Sequence, residues 1–447
     1  MIQGRKSSGL RKSKRWSPRA QTWGEKISSA LIVLFLTAIT CASQSTSSVI
    51  EVPNPPNATA QQSRHYVVLV SLDGFRYDYA TKYGAKNLLA MAARGASAPD
   101  GMIPSFPSVT FPNHYTIVTG LYPDHHGIVG NTFYDPARKQ AYSITDPKTV
   151  GDGSWYNGTP LWVLAEQQGM RSASFYWPIS QAEIQGKRPS YYLATYHENF
   201  PGEKRVEQVL AWLQLPPELR PHFITLYLED TDTVGHTYGP DAPEMAKAVR
   251  HLDEMIGKLS EGIAASGLPV DLIVVADHGM ETLQGGWVIL DKWADLSQFE
   301  TSGGRVYPKS ETDAEKAYQS LLGKSETFKV YRLANVPADL HFNSNPREGD
   351  PVVVPTGPYS IVPHDPNAKG GARMPSRGGH GYDPRQVPNM KAIFFAAGPD
   401  IRRGVTVPSF ENVDLYPFIA TILGLQTGPI DGKGSTLQGI LENNSKN

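Results

Sequence analysis

The sequence predicts an α/β fold, an open and largely parallel sheet with helices on both faces. Two observations predict it. Several short segments are almost wholly apolar and end in acidic or histidine residues, and segments with helical spacing lie between them. Unbroken apolar runs suit strands covered on both faces. Strands separated by helices imply a doubly wound sheet.

The first run is Tyr66-Val-Val-Leu-Val-Ser-Leu, which ends in Asp73-Gly74. The second, Phe223-Ile-Thr-Leu-Tyr-Leu, ends in Glu229-Asp230-Thr231-Asp232. The third begins at Val270 and ends in Asp277-His278-Gly279, and the fourth is Ala392-Ile-Phe-Phe-Ala-Ala-Gly398. Between them, Pro160 to Gly169 has a proline start and a glycine stop, the usual asymmetry of a helix. Pro243 to Ala265 repeats apolar residues at Met245, Val249, Leu252, Met255, Ile256 and Leu259, which is helical spacing. The stretch 282–375 breaks the pattern with Gly-Pro-rich loops, a short strand from Phe328 and a helical piece at Asp313 to Leu322. It is expected to be an inserted small subdomain or lid. No internal repeat is present.

Before Tyr66 the chain changes character. Arg5, Lys6, Arg11, Lys12, Lys14, Arg15 and Arg19 form a basic leader, followed by the apolar run Ala30 to Ala42. That run is short for a bilayer span, which needs about 20 apolar residues. A basic region, an apolar region and small residues near Ser43 read as a secretory signal over 1–43. Export to a periplasm or the medium is therefore expected, with membrane attachment only if the segment is retained or Cys41 is lipidated. Residues 44–64 are rich in Ser, Pro, Asn and Gln and read as a flexible linker. The domain proper is expected over 65–447. Cys41 is the only cysteine, so the mature chain would form no disulfide and would bind any metal through His, Asp, Glu or hydroxyl groups.

The net charge of −1 argues against a protein that coats nucleic acid, which would carry a basic field. It leaves room for a small phosphorylated substrate met by bound cations. In doubly wound sheets ligands bind at the carboxyl ends of strands, and that is where the acids and imidazoles collect. Asp73 follows the first run, Asp232 and His236 the second, Asp277 and His278 the third. His380 lies in the Gly-rich loop Arg377-Gly-Gly-His380-Gly before the fourth. Three carboxylates and three imidazoles are a cysteine-free ligand set large enough for two zinc ions with open positions. Thr110, just before Phe111-Pro112 and an apolar helical pattern, is placed at a helix N-terminus. There the helix dipole and free N–H groups favour an anion. Its hydroxyl becomes a competent nucleophile when a divalent metal lowers its pKa.

Together these residues resemble the nucleotide pyrophosphatase/phosphodiesterase family of the alkaline phosphatase superfamily. The resemblance runs from about Tyr66 to Leu425. Its motifs are Val70-Ser-Leu-Asp73-Gly-Phe-Arg76, Thr110-Phe-Pro-Asn-His-Tyr115, Thr119-Gly-Leu-Tyr-Pro-Asp-His-His-Gly127 with Asn131 after it, Asp232-Thr-Val-Gly-His236, Ala276-Asp-His-Gly-Met280 and Gly379-His-Gly381. The resemblance implies a mixed, largely parallel sheet of alkaline phosphatase type and two Zn2+. Asp73, Thr110, Asp277 and His278 would hold one ion, and Asp232, His236 and His380 the other. It implies that Asn131 binds a phosphate oxygen, that Phe111 and Tyr196 stack a nucleobase, and that a phosphothreonine intermediate releases nucleoside 5′-monophosphates. Small nucleotide diesters and pyrophosphates are the implied partners.

The alternative is a related hydrolase of phosphomonoesters, phosphonates or choline phosphodiesters. Thr110-Phe-Pro-Asn-His does not fit the sulfatase motif, and Phe111 favours a substrate with a flat group. His125-His126 is expected to be structural and His114 to buttress the nucleophile helix. Arg76, Lys187 and Arg188 are expected to be solvated cations, although they could meet phosphates. Asn57-Ala-Thr and Asn157-Gly-Thr fit glycosylation sequons.

Overall fold

The computed structural model describes residues 49–193, 200–370 and 373–442, all within the compact unit Ser47–Asn447. The signal expected over 1–43, including Cys41, and the expected stacking residue Tyr196 lie outside the described residues.

The centre of the fold is a nine-stranded sheet. In chain order its strands are β1 (Ile50–Glu51), β2 (Tyr66–Leu72), β3 (Ala96–Ser97), β4 (Ser172–Phe175), β5 (Tyr191–Tyr192), β6 (Phe223–Leu228), β7 (Val270–Val275), β8 (Phe394–Ala397) and β9 (Val405–Thr406). Across the sheet they run β1-β5-β4-β6-β2-β7-β8-β3-β9. All seven residues of β2 are buried. Its neighbours are parallel on both sides, with Val68 opposite Ile224 and Leu272. This is why the run carries no polar alternation: both of its faces meet helices.

The expected mixed sheet is present. β5, β4, β6, β2 and β7 are mutually parallel, whereas β8 is antiparallel to β7, with Phe394 opposite Val275 and Ala397 opposite Leu272. This reversal positions the site. A loop that leads into a parallel strand lies at the edge away from the strands' carboxyl ends. The loop that leads into β8 lies beside them.

Helices cover both faces. They are α1 (Lys86–Arg94), α2 (Thr110–Thr119), α3 (Leu161–Gln167), α4 (Gly202–Leu213), α5 (Asp230–Tyr238), α6 (Pro243–Ser266) and α7 (Leu415–Leu423). α1, α4 and α5 pack on α6, while α7 meets α2 and β2, and α3 meets β4 and β6. α6 starts with proline and stops at Gly267 in the left-handed region. It buries Met245, Val249, Leu252, Met255, Ile256 and Leu259, each such side chain contributing about 1.5–3 kcal/mol. Asp253 of the same helix is also buried. It accepts the N–H groups of Asn87 and Leu88 at 3.1 and 2.9 Å, capping α1, whose own N-cap Ala85 makes no side-chain bond.

From Ile50 onward, the segment read as a linker lies on the fold. β1 pairs with β5. Asn57 is 3% exposed and donates to Pro217 O and Arg220 O at 2.8 and 2.7 Å. Composition misreads this stretch because its polar side chains bond the backbone of distant loops instead of water. The sequon at Asn57 therefore has its amide buried, whereas Asn157 is exposed.

Residues 282–375 carry short paired strands. Trp287–Ile289 pairs with Ser360–Val362, Glu300–Ser302 with Arg305–Tyr307, and Phe328–Tyr331 with Val352–Pro355. Leu290, Leu296, Val306, Leu321 and Phe328 form a small core separate from the main one. The two ends of the segment are joined where Glu281–Thr282 pairs with Gly378–Gly379.

Candidate active site

Each polar group at the sheet edge is held by a local feature of the chain. Asp73 leaves the end of β2 and turns at Gly74, whose φ is +66°. A Cβ at Gly74 would lie 3.0 Å from Asp232 Cα, so only glycine allows the first acid and the start of α5 to approach so closely. Asp232 and His236 stand four residues apart on α5 and therefore share a face. Asp277 and His278 follow β7. His380 follows the Gly378–Gly379 pair and points back because β8 is reversed.

Thr110 is the first residue of α2, and the N-cap Val109 makes no side-chain bond. The main-chain N–H of Phe111 goes instead to Asn131 Oδ1 at 2.9 Å. That bond holds the Asn131 carboxamide at the helix start. One turn along, His114 Nδ1 is 2.8 Å from Thr110 O and its Nε2 is 2.8 Å from Ser71 Oγ.

The structure brings all seven expected ligands together. His278 Nε2 is 3.0 Å from Asp277 Oδ2, 3.7 Å from Asp73 Oδ1 and 3.3 Å from Thr110 Oγ1. His236 Nε2 is 3.1 Å from His380 Nε2 and 3.5 Å from Asp232 Oδ1, and His380 Nε2 is 3.6 Å from that same oxygen. Tetrahedral coordination at about 2.0–2.1 Å separates ligand atoms by about 3.3 Å, and both sets cluster around that spacing. His278 stands between the sets, stacked on His380 with centroids 3.7 Å apart and within 4.8 Å of an Asp232 oxygen. His114 lies near Asp73 and Asp277. Both of its nitrogens are engaged by Thr110 and Ser71, so it holds the helix.

Three buried carboxylate oxygens in this cluster, Asp73 Oδ1, Asp232 Oδ1 and Asp277 Oδ2, have no hydrogen-bond partner among the described residues. An orphaned buried acceptor costs about 1–3 kcal/mol, more when charged. Burial and the charges of Asp277 and Asp232 push Asp73 well above the usual carboxylate range. Burial likewise raises Asp232. Burial also works against Asp277, but His278 and His114 outweigh it and hold that carboxyl low. Burial, His278 and His236 push His380 far down, so its ring is neutral. Burial opposes a charge on His278 too, but Asp277 and Asp232 hold its pKa above the ordinary value. The neutral His380 ring and the unpaired carboxylate oxygens are already in the forms that a bound cation requires, and a cation would displace the proton from His278. The donor set fits two cations of zinc type.

Beside this centre opens a cavity of about 530 Å3. Asn131, His236 and His380 line it from the sheet edge, and Trp287, Arg305 and Tyr359 line it from the 282–375 segment.

A family model described as type I phosphodiesterase/nucleotide pyrophosphatase matches residues 67–383. The chain belongs to this family. It is 35% identical to human ectonucleotide pyrophosphatase/phosphodiesterase family member 1 over 408 residues, 87% of this chain and 43% of that protein. It is 36% identical to a Schizosaccharomyces pombe pyrophosphatase/phosphodiesterase over 395 residues, 84% of this chain and 79% of that one. A venom phosphodiesterase of Naja atra is 34% identical over 84% of this chain and 46% of its own length. The chain thus spans less than half the length of the human and cobra relatives. Among solved structures, murine ectonucleotide pyrophosphatase/phosphodiesterase 5 matches with a TM-score of 0.78 at 29% identity, covering 85% of this chain and 100% of that one. That structure is an inactive threonine-to-alanine form in complex with AMP.

Some residues of the site were not visible in the family's motifs. Tyr227 donates its hydroxyl to Asp73 Oδ2 at 2.5 Å, and Thr231 Oγ1 donates to Asp73 O at 2.5 Å. Tyr227 reads in sequence as one more apolar strand residue, and nothing in the run marks its hydroxyl. Arg76 is 4% exposed and pairs with Asp78 and Asp241 at 2.6 and 3.2 Å. It is therefore neither a solvated cation nor a group aimed at phosphate. His126 is buried against Thr116 Oγ1 at 3.0 Å, and the exposed His125 meets Asp431.

Proposed function

We propose that this chain is a two-zinc hydrolase that cleaves nucleotide phosphodiester or pyrophosphate bonds through Thr110. The observation that carries the reading is the meeting of three orphaned carboxylate oxygens and three imidazoles beside the Thr110 hydroxyl at a helix start. Asp73, Thr110, Asp277 and His278 would hold one ion, and Asp232, His236 and His380 the other. When bound, the pair supplies positive charge, which favours the ionised hydroxyl and neutralises phosphate oxygens.

The chain's own residues do the rest. Thr110 Oγ1 gives up its proton to water and attacks phosphorus, and the bond to the leaving oxygen breaks on the opposite side, an alcohol leaving group taking a proton back from water. The N-terminus of α2 faces the incoming phosphoryl group with its dipole. Asn131, fixed through the Phe111 N–H, offers its amide to an equatorial oxygen as charge grows there, which is stabilisation aimed at the transition state. Phe111 and Tyr196 are assigned to the base of the retained nucleotide. Water then attacks the phosphothreonine, restoring Thr110 and releasing a nucleoside 5′-monophosphate. The AMP complex of the murine relative supports a nucleotide substrate.

Export follows from the signal assigned to 1–43, and relatives named as ecto- and venom enzymes support it. No described helix is long and apolar enough to cross a membrane. We assign 282–375 as an insert in the catalytic domain that walls one side of the substrate cavity.

Thr110→Ala decides the matter, assayed on the p-nitrophenyl ester of thymidine 5′-monophosphate and on p-nitrophenyl phosphate. The expected outcome is loss of diester turnover by at least about 10³-fold, with metal content retained. Chelation should abolish the wild-type activity and zinc should restore it. Unchanged turnover in Thr110→Ala, or a strong wild-type preference for the monoester, overturns the assignment.

A further inference from the structure

At the opposite edge of the sheet, where the parallel strands begin, three side chains converge with no part in the site above. His65 immediately precedes β2. Asp271 is the second residue of β7, and its neighbours in that strand are all apolar. Asp400 follows β8, which ends here because it runs the other way. One ligand atom from each, an imidazole nitrogen and two carboxylate oxygens, lies within 4.8 Å of the others.

Asp271 is the unusual member. It is 0% exposed. Its Oδ1 accepts the Asp400 N–H at 3.0 Å. Its Oδ2 is buried and has no hydrogen-bond partner among the described residues. The main chain makes space for this carboxylate at Gly398, where an added Cβ would lie 2.2 Å from Asp271 Oδ1. A charged oxygen in an apolar strand is tolerable only when a proton or a cation meets it. His65 Nδ1 already sits 2.5 Å from Asp400 Oδ2, which leaves two acids sharing one imidazole.

We propose that His65, Asp271 and Asp400 form a further divalent-cation site, separate from the active centre, that fastens β2, β7 and β8 together at their far ends. One imidazole and two carboxylates suit zinc-type transition metals better than calcium or magnesium, which take oxygen ligands. The His65 and Asp400 side chains are 33% and 17% exposed, so an ion can reach the cluster from solvent. Binding displaces the proton between His65 and Asp400 and opens that pair to ligand spacing, a movement of about 1 Å. The site does not depend on the catalytic reading, since it shares no residue with it.

The test measures zinc per chain on the full-length protein after equilibration with zinc and desalting. It compares wild type with His65→Gln and Asp271→Asn. Each variant should carry about one zinc fewer than wild type and keep diester turnover. Added zinc should raise the melting temperature of the chelator-stripped wild type more than that of either variant. His65 is partly exposed, so His65→Gln remains informative if Asp271→Asn folds poorly. Equal zinc content in wild type and His65→Gln overturns the proposal and leaves Asp271 holding a proton. A failure of the two-zinc reading would instead lower the wild-type total while leaving the difference between wild type and His65→Gln intact.

Discussion

Glu348 gives a prediction whose size follows from its surroundings. It is 1% exposed, and neither carboxylate oxygen has a partner among the described residues. Burial and the nearby Asp124 carboxylate push its carboxyl from an ordinary 4.5 up to about 10, with Arg305 only partly opposing. Between those two values the folded protein keeps a proton that the unfolded chain releases. Stability therefore falls as pH rises through that window. From 4.5 to 7, at about 1.4 kcal/mol per pH unit, the penalty reaches about 3 kcal/mol. Glu348→Gln keeps the shape and a donor toward Asp124 but carries no proton to lose. With an unfolding entropy of about 2.1 cal/mol/K per residue over roughly 400 residues, the variant should melt about 4 °C above wild type at pH 7. The gap should nearly vanish at pH 5 and widen at pH 9. Differential scanning calorimetry at the three pH values measures it. A gap that does not change with pH, or a variant that melts lower throughout, refutes the argument that this acid is held protonated.

Three further outcomes follow from the site. Asn131→Ala should lower kcat about 10²–10³-fold with a smaller change in KM, and an equal loss in p-nitrophenyl phosphate turnover would leave its role intact while unchanged kinetics would not. Gly74→Ala places a Cβ against Asp232 at positive φ and should cost about 1–3 kcal/mol in a denaturant titration, with zinc affinity falling alongside; a variant as stable as wild type would show that the turn relaxes freely. Tyr227→Phe removes the bond that orients Asp73 and should weaken zinc binding about 10–100-fold without unfolding the protein, as isothermal titration of the chelator-stripped enzyme would reveal.

The long elements of the fold were legible because their physics is local. Seven buried residues in a row announce β2, and a proline start with apolar residues every third or fourth position announces α6. The start of α2 at Thr110 was legible for the same reason. The two-residue strands β1, β3, β5 and β9 have no periodicity to read, and polar Asn57 disguised an ordered segment as a linker. Strand direction was also hidden. An apolar run such as β8 reads identically in either sense, so the sequence placed His380 in a loop before a strand without explaining how that loop could reach the carboxyl edge. The antiparallel pairing of β8 explains it. Partners contributed by long-range geometry, such as the Tyr227 hydroxyl on Asp73 and Asp241 on Arg76, depend on contacts between segments more than 150 residues apart and leave no local trace.

The reversal of β8 also imposes an order of events during synthesis. When a ribosome has released the first 300 residues, the threonine and the acids that surround it are already in the chain, and the histidine at 380 is not. Its arrival, followed by the strand that aims it, completes the second group of proposed ligands. On the proposed reading, a chain stopped before residue 380 keeps Thr110 but lacks one of the groups assigned to the second ion.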